Sequence, residues 1–193
     1  ALVKMAENPV LTRPMMLCEY AHSMGNSTGG LNDYWNVIRS HRDLMGAFIW
    51  DFIDQGIAKT DADGKKYWAY GGDFEKWEHV DQNFCDNGVV ASDRTPHPAM
   101  TECKYVFQPM EFKAVSINAN GTARIVVKNR NWFVTTSKYS FVWQISSDKG
   151  VLQSGALNVP VLNPGDSATM DIQFNALNRA NEYWLDVQAL EKR

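Results

Sequence analysis

The sequence predicts an α/β unit followed by an all-β unit, and two changes in hydrophobic pattern indicate this division. Within residues 15–53, an apolar run, a segment with helical spacing and a second apolar run follow one another, which is the order of a βαβ unit. After Pro109 the apolar residues alternate in short runs separated by turn residues, a pattern typical of an antiparallel β-sandwich. We therefore expect a parallel sheet in residues 1–108 and a sandwich in residues 109–193.

The composition is that of an ordinary folded protein. The chain has 193 residues, of which 45% are hydrophobic and 21% are charged. A net charge of -3 provides no basic stripe for phosphates, which argues against a nucleic-acid partner. No apolar run reaches the roughly 18 residues of a membrane span, so we expect none. The three cysteines form no Cys-x-x-Cys motif and leave both a cytoplasmic and a periplasmic location open.

The elements of the first unit follow from local pattern. Residues 15–18 form a short apolar run that predicts a strand buried on both faces, and residues 45–53 predict the next strand. Between them, apolar residues recur at helical spacing from Leu31 to Ile38. Residues 54–94 read as a mostly irregular, aromatic-rich stretch, which in a compact domain is usually functional. A short helix is predicted over residues 99–107, before Pro109.

The second unit contains six predicted strands: residues 112–119, 123–129, 139–146, 151–157, 167–174 and 183–190. Six strands are one fewer than the usual seven of an immunoglobulin-like sandwich, so we expect the last strand to be missing. The chain also begins with what reads as the tail of a helix. Both features predict that this sequence is a segment of a longer polypeptide.

Glu19 is the first candidate for chemistry because it directly follows the first apolar run. A carboxylate at the end of a buried strand needs partners or a function, since removing a charge from water costs several kcal/mol. In an α/β barrel, that end of a strand carries the active site. His22 and a glycine-rich turn follow closely. The alternative is a structural role, in which Glu19 pairs with Arg13 or Arg39.

Trp50 is predicted to end the second strand, so that Glu19 and Trp50 would lie at the same open end of the barrel. A carboxylate beside an aromatic face suits a sugar, whose apolar face packs on rings. A core role for Trp50 is the alternative, and we interpret Asp51 and Asp54 as structural.

Cysteine and histidine combinations give weaker candidates. Cys18 and His22 could form a thiol nucleophile and its base, but Cys18 lies inside the apolar run, where a thiol is normally inert. Cys85, His97 and Cys103 lack the spacing of metal ligands, and His97, between two prolines, is interpreted as a packed loop residue.

Five motifs carry a resemblance to a known family. The motifs are Leu17-Cys-Glu-Tyr-Ala-His-Ser-Met-Gly-Asn26, Gly46-Ala-Phe-Ile-Trp-Asp-Phe-Ile-Asp-Gln55, Tyr70-Gly-Gly-Asp-Phe74, Asn83-Phe-Cys-Asp-Asn-Gly88 and Asp93-Arg-Thr-Pro-His-Pro98. They resemble, in this order, the later part of the catalytic barrel of the large bacterial β-galactosidases of glycoside hydrolase family 2. The rest of the chain resembles the immunoglobulin-like domain that follows that barrel.

The resemblance implies a role for several residues. Glu19 matches the catalytic nucleophile, His22 a residue that contacts the galactosyl unit, and Trp50 the aromatic wall of the galactose subsite. Asn87 and the backbone carbonyl of Phe84 match ligands of a sodium ion that helps to bind the sugar. Oxygen ligands of this kind are those that a hard cation prefers.

The activity implied is retaining hydrolysis of terminal β-D-galactose residues, as in lactose, through a galactosyl ester of Glu19. Such enzymes use two carboxyl groups about 5 to 5.5 Å apart. The resemblance places the general acid/base and the magnesium ligands upstream of this chain, in an enzyme expected to be a homo-oligomer. We therefore expect the isolated segment to be inactive.

Two alternatives remain open at this stage. A β-glucuronidase or β-mannosidase would share the nucleophile and the fold, although a glucuronidase needs a cationic partner for its substrate and the motifs contain no suitable arginine. A non-catalytic carbohydrate-binding or scaffolding fragment is the second alternative.

Overall fold

The computed structural model of the chain describes residues 2–8, 10, 12–75 and 80–192. The chain divides into two compact units, residues 1–107 and 108–193, and each has a hydrophobic core of its own. None of the helices in the described ranges has the length and apolar character needed to cross a membrane.

The first unit combines short helices with two separate pairs of strands. Its helices and strands are α1 (Leu2–Ala6), β1 (Met15–Tyr20), α2 (Leu31–Ser40), β2 (Leu44–Ile49), β3 (Ile57–Thr60), β4 (Lys66–Ala69) and α3 (Ala99–Val106). Short 3-10 helices cover Gly71–Asp73 and Gln82–Cys85.

The predicted βαβ order is confirmed, because β1 and β2 pair in parallel and α2 lies between them in sequence. Helix α2 begins after Gly30, whose left-handed backbone (φ 66°) glycine adopts without a steric penalty. Leu31 and Ile38 lie on the buried face of this helix. The core of the unit joins residues from β1, α2, α3 and the segment before α3: Tyr20, Leu31, Val89, Cys103 and Val106.

The strands differ from the prediction in length and in burial. β1 extends to Tyr20, so Glu19 lies inside the strand, and only Tyr20 of this strand is buried. The prediction of burial on both faces is wrong because, among the described residues, this sheet has only two strands and its faces are incompletely covered. β2 ends at Ile49 rather than at Ile53, since residues 51–54 bond to residues 87–90 instead.

The stretch predicted to be mostly irregular contains a hairpin, which corrects that prediction. β3 and β4 pair antiparallel around the turn at residues 61–65. The Asp61 carboxylate accepts hydrogen bonds from the backbone N–H groups of Asp63 and Lys65, at 3.0 and 2.8 Å. These strands have no signal in the sequence, because each has only four residues and lacks a strong alternating pattern.

The second unit contains the six predicted strands, which the structure confirms. They are β5 (Met110–Asn118), β6 (Thr122–Asn129), β7 (Tyr139–Ser147), β8 (Gly150–Ala156), β9 (Ser167–Gln173) and β10 (Trp184–Glu191). They form two antiparallel three-stranded sheets in the orders β5-β6-β9 and β10-β7-β8.

Both sheets contribute to one core, which makes the unit a β-sandwich. Ile125, Val127 and Ile172 come from one sheet, and Phe141 from the other. Alternation along β6 produces this arrangement, because every second residue of that strand is buried. The immunoglobulin-like assignment itself stays a prediction.

Candidate functional site

Glu19 is exposed, and its position differs from the one the sequence predicts. Among the described residues its carboxylate forms no ion pair, so the alternative pairing with Arg13 or Arg39 is wrong. The guanidinium of Arg39 instead donates a hydrogen bond to the carbonyl of Val106 and lies over the Trp35 ring. The exposed carboxylate of Glu19 therefore has no desolvation cost to offset. Its candidate role rests on its position near the end of β1.

The end of β1 is joined through the backbone to Trp50. The Trp50 N–H donates to the Tyr20 carbonyl at 3.0 Å, and the Trp50 carbonyl accepts from the Ser23 N–H at 2.7 Å. Trp50 is 37% exposed, so part of the residue is accessible to a ligand. The Trp50–Asp51 peptide bond is cis. Adjacent parallel strands therefore bring Trp50 next to the residue that follows Glu19.

A second group of contacts unites His22, Phe84 and Asn87. The side-chain amide of Asn87 donates to the Phe84 carbonyl at 2.8 Å and lies 3.5 Å from Nε2 of His22. The rings of His22 and Phe84 have centroids 5.4 Å apart. Three of the residues singled out by the motifs thus meet at one place.

Asn87 carries a buried polar atom without a partner. The residue is only 1% exposed, and its Oδ1 is the buried side-chain atom that has no hydrogen bond among the described residues. Leaving such an atom unsatisfied costs about 1–3 kcal/mol. The arrangement therefore provides a free oxygen ligand in a buried position.

These oxygens fit a small hard cation. Asn87 presents an unpartnered amide oxygen, and Phe84 presents a backbone carbonyl within the same group of contacts. Amide and carbonyl oxygens are the ligands that hard cations take. The residues thus fit the implied sodium ion. Within the described ranges, no three histidine, cysteine or acidic side chains cluster as metal ligands.

The backbone around Asn87 is held by the segment after Trp50, a feature that sequence reasoning missed. The Asn87 carbonyl accepts from the Asp51 N–H at 2.6 Å, and the Gly88 N–H donates to the Asp54 carboxylate at 2.7 Å. A side chain at position 88 would overlap with the backbone of Ile53 and Asp54. The glycine at the end of the fourth motif was the available signal.

The three cysteines lie in different environments. Cys18 is exposed, which corrects the expectation that it packs inside the strand, and all three thiols are free. Burial raises the pKa of Cys85, and the neighbouring Asp86 carboxylate raises it further. Burial likewise raises the pKa of Cys103, with a smaller effect from Glu102. Both of these thiols are therefore held in the protonated form, which is a poor nucleophile.

Comparison with known protein families shows to which family the chain belongs. The family described as "Glycosyl hydrolases family 2, TIM barrel domain" matches residues 2–112, more than half of the sequence. The chain belongs to glycosyl hydrolase family 2. A second family, described as "Beta-galactosidase, domain 4", matches residues 125–193. The described residues of this family 2 chain contain no closed barrel, and its parallel β1–α2–β2 unit falls in the region matched by the barrel domain.

Curated relatives of this family 2 chain are named beta-galactosidases. One from Enterobacter cloacae is 39% identical over 186 residues, covering 96% of this chain and 18% of the relative. One from Pseudoalteromonas haloplanktis is 40% identical, covering 93% of this chain and 17% of the relative. One from Aeromonas hydrophila is 41% identical, covering 99% of this chain and 18% of the relative. The chain thus spans less than a fifth of the length of these relatives.

Proposed function

We propose that this chain forms part of a β-galactosidase that removes terminal non-reducing β-D-galactose residues from β-D-galactosides such as lactose. The observation that carries the proposal is the meeting of His22, Phe84 and Asn87 beside the end of β1, because it joins residues from two of the five motifs. Trp50 is bonded to the same strand end. The names of the relatives support galactosides as the substrate class.

Glu19 is the proposed nucleophile. Its exposed carboxylate would attack the anomeric carbon and form a galactosyl ester while the bond to the leaving oxygen breaks. Water would then hydrolyse that ester, and the product would retain its configuration. A second carboxyl group, which donates and then accepts the proton, and the magnesium ligands are proposed to lie outside this chain. The intact enzyme is proposed to be a homo-oligomer.

The other residues bind and orient the sugar. The partly exposed indole of Trp50 offers an apolar surface to the ring of the galactose, and the imidazole of His22 can exchange hydrogen bonds with a hydroxyl group. Asn87 Oδ1 and the Phe84 carbonyl would hold sodium. When bound, the ion would supply positive charge that attracts a sugar hydroxyl oxygen.

The polar groups of this site favour a neutral sugar over an acidic one. An imidazole, an amide and a carbonyl meet there, and none of these is a permanent cation that would pair with a uronate. This observation disfavours the β-glucuronidase alternative. The neutral sugars mannose and galactose differ only in the orientation of hydroxyl groups. Assays with an aryl β-mannoside and an aryl β-galactoside therefore distinguish a β-mannosidase from a β-galactosidase.

The role of Glu19 is tested in the full-length polypeptide that carries these residues. Glu19→Gln should lower hydrolysis of an aryl β-galactoside by at least about 10³-fold, because the amide cannot form the ester. Glu7→Gln, at an exposed glutamate of the same unit, is the matched control and should be as active as the parent. An activated fluorosugar should label Glu19. Near-parent activity of Glu19→Gln, or a label on another carboxylate, would refute the assignment.

The isolated chain provides a separate test, because it lacks the proposed acid/base. It should not hydrolyse the galactoside at any concentration. Binding of galactosides without hydrolysis would show that residues 1–193 retain a carbohydrate-binding role by themselves.

A further inference from the structure

We propose that Asp54 and His97 are positioning residues that orient Asn87 toward the bound sugar and its cation. This inference rests on the proposed function, and it assigns a role to two side chains that the motifs left as structural. It starts from the peptide unit between Asn87 and Gly88, which carries the Asn87 side chain at one end.

That peptide unit is held at both of its polar atoms. Its carbonyl, from Asn87, accepts from the Asp51 N–H at 2.6 Å. Its N–H, from Gly88, donates to Oδ1 of Asp54 at 2.7 Å. A carboxylate is a stronger acceptor than a neutral oxygen, so the bond to Asp54 is charge-assisted. The plane of the peptide is thereby fixed, and the direction in which the Asn87 side chain leaves the backbone is fixed with it.

Asp54 is itself anchored through most of its polar atoms. Its N–H donates to the Val90 carbonyl at 2.9 Å, and its carbonyl accepts from the Ser92 hydroxyl at 3.0 Å. Its side chain is 14% exposed. A carboxylate fixed in this way transmits little motion to Gly88, which is the property that a positioning group requires.

His97 holds the opposite side of Gly88. Its Nδ1 lies 3.0 Å from the Gly88 carbonyl, and because a carbonyl only accepts, Nδ1 carries the proton of this bond. Its Nε2 lies 3.5 Å from Oδ2 of Asp54, and its backbone N–H donates to the Val89 carbonyl at 3.0 Å. Asp54 and His97 therefore hold both polar groups of Gly88, the residue that follows Asn87.

The close approach at Gly88 explains why this arrangement is sensitive to small displacements. Its Cα faces the backbone of Ile53 and Asp54 without room for a methyl group. The segment that carries Trp50 and the segment that carries Asn87 are thus in direct backbone contact. A shift of Asp54 would move the Asn87 amide relative to His22 and the Phe84 carbonyl.

The test uses Asp54→Ala, Asp54→Asn and His97→Ala in the full-length polypeptide. Asp54→Ala should weaken equilibrium binding of a non-hydrolysable thiogalactoside about 10- to 100-fold, the usual effect of removing a partner outside the ligand shell. Asp54→Asn should retain most of the affinity, because its amide oxygen still accepts from Gly88. The stabilisation of the protein by sodium chloride, compared with potassium chloride, should fall in Asp54→Ala. His97→Ala should weaken binding several-fold.

The matched control is Asp61→Ala, because Asp61 also accepts two backbone hydrogen bonds in a turn but belongs to the β3–β4 hairpin. A folded Asp54→Ala that binds the thiogalactoside like Asp61→Ala would overturn the inference while leaving the proposed function intact. If Asp54→Ala does not fold, parent-like binding by His97→Ala would overturn it.

The two proposals can fail separately. A parent protein that does not bind galactosides, but loses its sodium-dependent stabilisation in Asp54→Ala, would refute the proposed function and support the positioning role. A parent protein that neither binds galactosides nor is stabilised by sodium would overturn both proposals.

Discussion

The side-chain nitrogen of the buried Asn87 lies 3.5 Å from Nε2 of His22, although the two residues are 65 positions apart in the sequence. The same amide donates to the Phe84 carbonyl and leaves its own oxygen without a partner. A buried amide with one unsatisfied atom is costly, and a ligand that bonds to this oxygen would remove the cost.

Replacement of Asn87 should affect binding more than the later chemical steps. We expect Asn87→Ala to raise the KM for an aryl β-galactoside about tenfold and to abolish its dependence on sodium, because both oxygen and nitrogen of the amide are lost. The measurement is steady-state kinetics of the full-length protein at several sodium concentrations. Asn32→Ala, at an exposed position of α2, is the control and should match the parent. Unchanged KM and sodium dependence would exclude Asn87 from the site.

A methyl group at position 88 should push apart the segment that carries Trp50 and the segment that carries Asn87. Gly88→Ala is expected to lower the free energy of unfolding by about 1–3 kcal/mol, because the added Cβ overlaps with the backbone of Ile53 and Asp54. Urea unfolding of the variant and the parent measures this loss. Gly29→Ala adds the same methyl where no atom lies within 4 Å, so it should be nearly neutral. Equal stability of the two variants would contradict the close approach.

Tyr20 should give the protein a distinct response to alkaline pH. Its hydroxyl oxygen accepts from the Trp35 indole N–H at 2.8 Å, and burial raises the pKa of this phenol. Tyr20→Phe should therefore cost about 1 kcal/mol of unfolding free energy at pH 7. Because the folded-state pKa lies above the unfolded value of about 10, the stabilising contribution is complete below that pH and falls as pH rises through the folded-state pKa.

Urea unfolding at pH 7 and above pH 10 tests this expectation. The difference in stability between the parent and Tyr20→Phe should shrink at the higher pH. Tyr105→Phe, at a tyrosine that is 65% exposed, serves as the control. A difference that stays constant or grows with pH would show that Tyr20 does not titrate as its burial requires.

A buried amide bonds to several backbone groups of the sandwich unit. Asn129 is fully buried, donates to the carbonyls of Val134 and Leu162 at 2.8 and 3.2 Å, and accepts from the Asn131 N–H at 3.0 Å. Asn129→Ala should lower the unfolding free energy by about 1–3 kcal/mol, because buried backbone groups lose their partners.

Urea unfolding again measures the effect, with Asn118→Ala as the control. Asn118 makes a similar bond to the Asn120 N–H in an exposed turn, where water replaces the lost partner. Its substitution should change the unfolding free energy by at most about 0.5 kcal/mol. If both variants lost a comparable amount of unfolding free energy, burial would not determine the cost of losing these hydrogen bonds.

Much of the fold could be predicted from the sequence because it depends on local periodicity. The helix α2 and the strands β5 to β10 appear where apolar residues recur with a period of 3.6 or 2. The end of β2 could not be predicted, since Phe52 and Ile53 continue the apolar residues of the strand, whereas the backbone of residues 51–54 bonds to residues 87–90. The hairpin of β3 and β4 was missed because its strands have only four residues each.

The sequence by itself determined the order of the elements, the family resemblance and the names of the candidate residues, because these are properties of neighbouring side chains and of short motifs. Only the tertiary structure decided that Glu19 is exposed, that the Asn87 oxygen has no partner, and that Asp54 and His97 hold Gly88. Burial and hydrogen bonding join residues that are distant in the chain, so no local pattern specifies them.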